Sequence, residues 1–329
     1  MDLSNFYYEL PDELIAQSPS AERDGARMLV IDRKAGTWED RVFRDLPGYL
    51  RPSDCLVLND SKVFPSRLLG HRPGRTGRVE VFLVQPVSAD EREWRALVRP
   101  GKKLPVGERI EFAEGFSATV IGREEHGERI LRFEADDLWA AIQRVGHVPL
   151  PPYIQRPDGE EDRDRYQTVY ARERGSVAAP TAGLHFTPRV LGEITAEIAR
   201  VTLHVGLGTF QPLHSTTVEE NVLHRERFEV SAEARAKIEG AERVVAAGTT
   251  SVRTLESMDA MSGETNIFIY PGYEFKRVGA MLTNFHLPES SLLLLVCAFG
   301  GTELMMAAYR YAVRERYRFF SYGDCMLIL

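Results

Sequence analysis

Cysteine is scarce in this sequence of 329 residues, and the three that occur, Cys55, Cys297 and Cys325, lie far apart along the chain. Neither the paired spacing of a zinc site nor the even count of a disulfide framework is present. We expect each cysteine to be a buried thiol. The eight histidines also lack the His-x-x-x-His spacing of many metal sites, so we expect no bound metal.

Long apolar runs are missing too. The longest uninterrupted one, 292–299, has eight residues, whereas a membrane-spanning helix needs about 20. Residues 1–13 contain no Lys or Arg and no apolar stretch of the kind found in secretory signals. These absences predict a cytoplasmic protein without a membrane segment. Coiled-coil heptads are lacking as well, which favours a monomer.

An excess of basic residues is the third absence. The sequence has 41 Lys and Arg against 48 Asp and Glu, with a formal net charge of −7. The molecule as a whole is therefore not built to coat nucleic acid, and any contact with RNA must come from a local patch. Hydrophobic residues make up 43% and charged residues 27%, which is typical of a folded globular protein large enough for two domains.

From about residue 188 onwards, helical and strand patterns alternate at short spacing, as in an α/β layer. The predicted helices are 190–198, 232–238, one from 252, and the pair 290–298 and 302–314 broken at Gly300 and Gly301; the predicted strands are 201–205, 244–247, 267–270 and 326–329. The segment 248–251 is predicted to be a tight loop.

The segment 64–133 has a different texture. Short alternating runs are separated by turn-rich pieces, which is typical of a small antiparallel sheet or barrel; the runs are 78–84, 94–98, 118–121 and 129–133. A strand-like piece, 56–58, precedes them. The prediction is an α/β main domain with a mixed, largely parallel sheet, formed by 1–62 and 150–329, and an inserted antiparallel β-barrel-like domain at 63–149.

Histidines are concentrated in one part of the chain, where five of the eight lie between residues 185 and 286. His185 and His204 stand in segments rich in Gly and Thr. Glycines after a strand let a ligand approach the backbone, and a neighbouring histidine can transfer protons near neutral pH. Any single histidine could simply satisfy a backbone group, but the set favours a functional site.

The segment 248–256 places the hydroxyls of Thr249, Thr250 and Ser251 at a helix start after a strand. Free N–H groups and the helix dipole attract carboxylate or phosphate there, although an ordinary N-cap explains one of the hydroxyls. The spacing matches neither a P-loop nor a dinucleotide fingerprint. The interpretations of ligand anchor and helix cap stay open.

A basic stretch follows the strand-like piece 56–58. It contains Arg67, Arg72, Arg75 and Arg78, with no acidic residue between Ser61 and Val79. Such a stretch on an acidic protein is either a phosphate-binding patch on a loop that becomes ordered on binding, or a solvated turn.

Nearly the whole chain closely resembles the S-adenosylmethionine:tRNA ribosyltransferase-isomerase family of queuosine biosynthesis. The resemblance is carried by a long series of segments in the same order: 14–17, 23–27, 58–68, 149–154, 165–170, 175–187, 201–212, 248–257, 283–288 and 317–324. Two departures are Ser61-Lys62 in place of Thr-Arg, and Gly300-Gly301 in place of a small residue followed by Gly. Lysine lacks the bidentate phosphate contact of arginine.

The resemblance implies an α/β domain with an inserted β-barrel. It also implies transfer of the ribosyl part of S-adenosylmethionine to 7-aminomethyl-7-deazaguanine at the tRNA wobble position. Adenine and methionine would leave, and the product would be epoxyqueuosine. S-adenosylmethionine is then a consumed substrate, and no true cofactor is expected.

On this basis we expect His204 or His286 to transfer the proton, with His185 as a third candidate and Asp324 or Glu256 as the orienting carboxylate. The expected substrate-binding residues are Asn59, Asp60, Gly206, Gly208, Thr209, Thr249, Thr250, Ser251 and Arg253, of which the 249–251 hydroxyls would hold the methionine carboxylate and Arg253 would reinforce them or meet tRNA phosphate. The expected tRNA-binding residues are Lys62, Arg67, Arg72, Arg75 and Arg78. Phe210, Phe285 and Tyr322 are the aromatic candidates for stacking on an extruded base.

Two other functions compete with this one. An S-adenosylmethionine-dependent RNA methyltransferase would carry a glycine-rich loop after its first strand, for which we find no convincing match. A non-catalytic RNA-binding module would not need the density of histidines and hydroxyls between residues 181 and 286. Analysis of the reaction product distinguishes the three.

Overall fold

The computed structural model describes residues 1–124, 127–206 and 213–329. In chain order, its strands are β1 (Arg27–Asp32), β2 (Thr37–Val42), β3 (Asp54–Asn59), β4 (Ser61–Val63), β5 (Arg67–His71), β6 (Arg78–Pro86), β7 (Glu93–Arg99), β8 (Arg109–Ala113), β9 (Phe116–Arg123), β10 (Arg129–Glu134), β11 (Glu173–Ser176), β12 (Glu197–Leu203), β13 (Glu226–Val230), β14 (Arg243–Ala247), β15 (Ser262–Thr265), β16 (Val278–Asn284) and β17 (Cys325–Ile328). Its α-helices are α1 (Leu138–Val145), α2 (Glu160–Arg165), α3 (Pro188–Glu193), α4 (Ala232–Gly240), α5 (Thr249–Ser257), α6 (Ser291–Gly300) and α7 (Thr302–Arg314).

Nine strands form the main sheet, in the order β15-β13-β12-β3-β14-β16-β17-β1-β2. Its middle is parallel: β12, β3, β14 and β16 run in one direction, with Leu56 of β3 level with Ile198 on one side and Val245 on the other. All six residues of β3 are buried, because helices and loops cover both faces of a parallel sheet. Antiparallel strands close both edges.

The two faces of this sheet are covered differently. Helices α5, α6 and α7 pack on one face, where Val252 and Leu255 of α5 join a core that includes Val57 and Leu203. Helix α3 and the segment 43–50 cover the other face, on which Phe43 and Val190 pack against Leu58. The order of layers is that of an α/β domain.

Strands β5 to β10 form a closed antiparallel barrel in the order β10-β7-β6-β5-β8-β9. Alternate residues of β6 and β7 are buried, as the period of two of a strand requires when one face is solvated. These strands all lie within 63–149, and the domain boundaries at 63 and 149 stay a prediction. The predicted fold class, a mixed sheet with helices plus a small antiparallel barrel, is confirmed.

Three predicted elements were wrong in extent or kind. The helix predicted at 190–198 ends at Glu193, and β12 begins at Glu197, because residues 197–201 pair with the buried strand β3. The predicted loop 248–251 holds the first turn of α5. No strand forms at 267–270; those apolar side chains instead pack on the core without joining the ladder, since a short apolar run does not by itself distinguish the two outcomes.

Within the described residues, no single helix is long and apolar enough to cross a membrane. Helices α6 and α7 are long and apolar enough only when they are taken together, and the angle between them is 118°.

Candidate active site

A cavity of about 510 Å³ opens at the carboxyl ends of the central parallel strands. Val205 follows β12 in its wall, residues 248–250 follow β14, and residues 283–292 run from the end of β16 into α6. Residues 178–182, Tyr153, Phe320 and Ser321 form the opposite side. The chain passes from β12 on one side of β3 to β14 on the other, and ligands of α/β sheets bind at such a reversal. The volume lies within the range of small-molecule sites.

The start of α5 forms one wall of this cavity. Gly248 has φ of +91°, a conformation that favours glycine. A Cβ added to Gly248 would lie 3.6 Å from the Cβ of Ala182. The first amides of the helix have no intrahelical acceptor, so they are donors available to a ligand.

The three hydroxyls predicted at this helix start differ in their surroundings. Ser251 Oγ donates to the Ala247 carbonyl at 2.8 Å, and the side chain is fully buried. Thr250 Oγ1 accepts from Asn59 Nδ2 at 3.1 Å. Thr249 and Thr250 line the cavity, whereas Ser251 does not. Ser251 therefore anchors the helix to its strand, and the two threonines face the ligand space.

Among the three candidate histidines, His286 is the one that lines the described wall of the cavity. Its Nε2 lies 2.9 Å from Thr283 Oγ1, and its backbone is held by Tyr309 Oη, which accepts from the amide, and by Tyr8 Oη, which donates to the carbonyl. Burial lowers the pKa of His286 to about 3. The ring is therefore neutral at pH 7.

His185 lies behind the cavity wall, where its Nε2 is 2.9 Å from Asn284 Oδ1. Burial lowers its pKa to about 4. The ring packs against Phe43 and borders a separate small pocket next to Tyr322. Through Asn284, which also donates to the Phe320 carbonyl at 2.8 Å, His185 supports the wall without lining it.

His204 also lies outside the described lining of the cavity. It precedes Val205, and neighbouring residues of an extended chain point to opposite sides. Its ring lies against Gly175, where an added Cβ would come within 2.7 Å of Nδ1. Burial lowers its pKa, and Nδ1 has no hydrogen-bond partner in the described parts of the chain. Within the described residues, His286 therefore faces the cavity, whereas His204 faces Gly175.

The two carboxylates predicted to orient a histidine do not do so. Glu256 accepts from the backbone amides of residues 276–278 at 2.9 to 3.1 Å. Asp324 accepts from the amides of Arg27 and Arg318, both at 2.8 Å. Both acids are buried and bind loops to their neighbours. Instead, His286 lies beside Thr283 and His185 beside Asn284. Both neighbours stand at the end of β16.

Asn59 and Asp60 are also mainly internal connectors. Asn59 exchanges hydrogen bonds with the Leu203 backbone at 3.0 Å in both directions, which joins β3 to β12. Asp60 accepts from Thr202 Oγ1 at 2.7 Å and pairs with Arg172 at 3.2 Å. Burial raises the pKa of Asp60. Neither residue lines the cavity, although Asn59 positions Thr250.

Arg253 and Gly206 meet at Glu226. Arg253 forms a buried ion pair with Glu226 through Nη1, and the Gly206 amide donates to Glu226 Oε1 at 2.9 Å. Arg253 is 5% exposed, and its predicted contacts with the methionine carboxylate or with tRNA phosphate stay predictions. Gly208, Thr209 and Phe210 lie outside the described residues.

The predicted basic patch lies on the hairpin of β5 and β6, and its arginines differ in exposure and in pairing. Arg67 pairs with Glu80 at 2.6 Å, and Arg72 is partly covered and donates to the Lys103 carbonyl. Arg75, Arg78 and Lys62 are exposed. The exposed cations therefore number fewer than the stretch suggests, since strand pairing brings a distant glutamate beside Arg67.

Two aromatic residues that sequence reasoning missed, Tyr153 and Phe320, line the cavity as a stacked pair with ring centroids 4.2 Å apart. Tyr153 Oη lies 2.5 Å from Ser321 Oγ. Phe320 has φ of +70°, which is strained for an aromatic residue and is held here by Asn284. Both belong to segments, 149–154 and 317–324, that carry the resemblance. That was the signal available.

The predicted aromatics differ from this pair. Phe285 borders the cavity, but its ring is fully buried among Tyr309, Tyr317 and Phe319. Tyr322 is buried and donates to Asp162 at 2.7 Å. Within the described residues no three His, Cys, Asp or Glu side chains converge as metal ligands.

Comparison with known proteins assigns the chain to a family. The sequence model of a family described as "Queuosine biosynthesis protein" matches residues 3–328. A protein of Solibacter usitatus named S-adenosylmethionine:tRNA ribosyltransferase-isomerase is 60% identical over the full length of both chains, and one of the same name from Symbiobacterium thermophilum is 51% identical over the full length of both. The crystal structure of an S-adenosylmethionine tRNA ribosyltransferase from Thermotoga maritima is 39% identical, with a TM-score of 0.55 over 99% of this chain and 100% of that one. The chain therefore belongs to the queuosine biosynthesis protein family and is a transferase of that pathway.

Proposed function

We propose that the protein transfers the ribosyl part of S-adenosylmethionine to 7-aminomethyl-7-deazaguanine at the wobble position of tRNA and isomerises it to epoxyqueuosine, with release of adenine and methionine. The observation that carries the proposal is the cavity of about 510 Å³, which combines a stacked aromatic pair, a helix start and a neutral histidine in a chain of this family. The cavity is large enough for a nucleoside.

The Tyr153–Phe320 pair supports the binding of a base. Stacking on aromatic rings is the common way to hold an unpaired base, and it tolerates different bases because each has a π face. Asn284 donates to the carbonyls of Phe320 and Ser321 at 2.8 and 3.3 Å. The platform is therefore rigid before a ligand enters, which reduces the entropy lost on binding.

His286 is the residue we propose for proton transfer. The sulfonium of S-adenosylmethionine acidifies the adjacent ribose carbon, so a base that removes this proton lets the sugar expel adenine and become unsaturated. Nε2 lies 2.9 Å from Thr283 Oγ1, and Nδ1 makes no hydrogen bond within the described residues. In the tautomer whose Nε2–H donates to Thr283, Nδ1 carries the lone pair that would take the proton. The proton that His286 takes would pass to the departing adenine. The amine of the tRNA base would then attack the anomeric carbon and release its extra proton to solvent. Rearrangement of the ring to the epoxide would break the bond from carbon to the sulfonium sulfur and expel methionine as a neutral thioether.

The exposed cations of the β5–β6 hairpin, Arg75 and Arg78, together with Lys62, are the proposed contacts to tRNA phosphate. Phosphate contacts position a nucleic acid and make its binding depend on salt. Because the reacting base must leave its stack to enter a cavity, the barrel would hold the tRNA backbone while the sheet domain receives the base.

The test is incubation with adenine-labelled S-adenosylmethionine and tRNA that carries the aminomethyl-deazaguanine base. Free adenine that appears only when that tRNA is present is the expected result. S-adenosylhomocysteine as the product would instead indicate an RNA methyltransferase. Absence of turnover, with tRNA still bound, would indicate a binding module.

A further inference from the structure

Arg253 is 5% exposed and yet only partly paired. Nη1 contacts Glu226, while Nε and Nη2 have no hydrogen-bond partner in the described parts of the chain. Buried donors are nearly always satisfied, and an unsatisfied one retains its full desolvation penalty. The two bare nitrogens are the two that point side by side along one edge of a guanidinium, which is the edge that binds a carboxylate with two parallel hydrogen bonds.

The Arg253 side chain lines a small pocket together with His224, Glu226 and Ser291. The rest of its lining is apolar: Leu223, Ile267, Phe268, Ile269, Leu292 and Leu295. The pocket volume is about 20 Å³, more than the roughly 10–15 Å³ that one water needs. Glu226 and His224 both have other partners. The pocket therefore leaves room for a small group beside the Arg253 side chain, while its remaining wall is mostly apolar.

The small pocket adjoins the large cavity. Ser291 and Leu292 line both. Thr249 of the large cavity and Arg253 of the small pocket are four residues apart in α5, so their side chains lie on one face, about 6 Å apart along the helix axis. A ligand with its nucleoside in the large cavity could place a short tail against Arg253.

We propose that the Nε and Nη2 edge of Arg253 binds the carboxylate of the methionine part of S-adenosylmethionine. The inference rests on the proposed function. Arg253 and Glu226 together carry no net charge, and the end of an amino acid also carries none, since its ammonium accompanies its carboxylate. A tRNA phosphate brings a negative charge without that compensation. Ser251, which was expected to share this role, already donates to Ala247.

The experiment compares two substrates: S-adenosylmethionine and its decarboxylated analogue, in which hydrogen replaces the carboxylate. We expect the native protein to release adenine from S-adenosylmethionine with a kcat/KM at least about 30-fold higher than from the analogue, as the loss of a charge-assisted pair implies. In Arg253→Gln we expect this preference to fall to within about threefold. The substitution removes the partner of the carboxylate, which weakens only S-adenosylmethionine, because the analogue has no carboxylate to bind. Arg253→Lys keeps the charge without the fork and is expected to lie in between.

Two further variants control for effects of the substitution on folding. Arg253→Gln leaves Glu226 buried without its cation, so the double variant Arg253→Gln/Glu226→Gln is made as a neutral pair, and it too should lose the preference. Arg243→Gln, which removes a half-buried arginine paired with Asp54 at the far end of β14, should retain it. A preference that persists in both Arg253→Gln variants, or a native protein that uses both substrates equally well, would overturn the inference.

Calorimetric binding of the same two compounds without tRNA separates this inference from the proposed function. If the native protein binds S-adenosylmethionine more tightly than the analogue, and both Arg253→Gln variants do not, the carboxylate site stands even when no adenine is released. If adenine is released but neither assay shows a preference, the reaction stands and the site at Arg253 does not.

Discussion

The barrel and the carboxyl edge of the main sheet differ in how many polar residues they bury and in what those residues contact. Between Arg67 and Glu134, the described buried polar residues are Ser117 and Arg129, and Arg129 donates to four backbone carbonyls. At the sheet edge, buried Thr250, Thr283, Asn284, His286 and Arg253 line two pockets that share Ser291 and Leu292. Burying polar groups is unfavourable unless they are paired. The sheet edge is therefore the region that gives up folding stability in order to place polar groups around a binding site.

The largest expected effect tests whether chemistry is confined to the sheet edge. His286→Asn should lower kcat by about 10²-fold or more, because it removes the proposed proton acceptor. Adenine release at saturating substrates measures it. The matched control is His147→Asn, which removes a histidine that pairs with Asp158 at 2.9 Å beside the barrel and should leave kcat within about twofold. Nearly native turnover in His286→Asn would move the base elsewhere, with His204 as the next candidate.

The second prediction concerns pH and stability. The pKa of His185 is about 4 in the folded protein, against about 6.5 when unfolded. Between pH 7 and pH 5 the unfolded chain takes up this proton and the folded chain does not, so stability falls as pH falls, by about 2 kcal/mol for this histidine. Urea unfolding of the native protein and of His185→Asn at both pH values measures the difference.

The control for this prediction is His71→Asn, which removes an exposed histidine of the barrel and should show the native pH dependence. If His185→Asn loses as much stability on acidification as the native protein does, His185 is not the buried neutral group described here.

The third prediction compares two aromatic pairs. Phe320→Ala should lower kcat/KM for tRNA about tenfold, since stacking on one base contributes about 1–3 kcal/mol. Phe112→Ala disrupts a stacked pair in the barrel, with Phe133 at 5.9 Å; it should lower the melting temperature and leave kcat/KM for tRNA within about twofold. Equal kinetic effects of the two changes would remove the distinction between the regions.

The smallest effect concerns the barrel surface. Arg75→Gln/Arg78→Gln should weaken tRNA binding severalfold and reduce the slope of log K against log salt by about one for each phosphate that is no longer neutralised. Adenine release at saturating tRNA should stay unchanged. Arg123→Gln, an exposed arginine on another strand of the barrel, should alter neither. An unchanged slope in the double variant would assign the tRNA surface to other residues.

Several features of the site could be predicted from the chain alone, and others could not. The hydroxyl-rich start of α5 was recognised because a strand, a glycine and a helix follow one another within a few residues. The hydrogen bonds of Glu256 and Asp324 could not be predicted, because their partners are backbone amides of distant loops, which leave no pattern in side-chain spacing. Tyr153 and Phe320 are 167 positions apart, and nothing local to either one indicates that they stack.

The sequence by itself determined the division into an α/β part and a barrel part, since the periods of helices and strands are local properties of neighbouring residues. It also determined the family, because long motifs persist in order along the chain. Only the tertiary structure decided which histidine faces the cavity, which arginines are exposed, and that Arg253 keeps one edge unpaired. Those outcomes depend on which strands become neighbours, and strand neighbours are set by packing across the whole sheet.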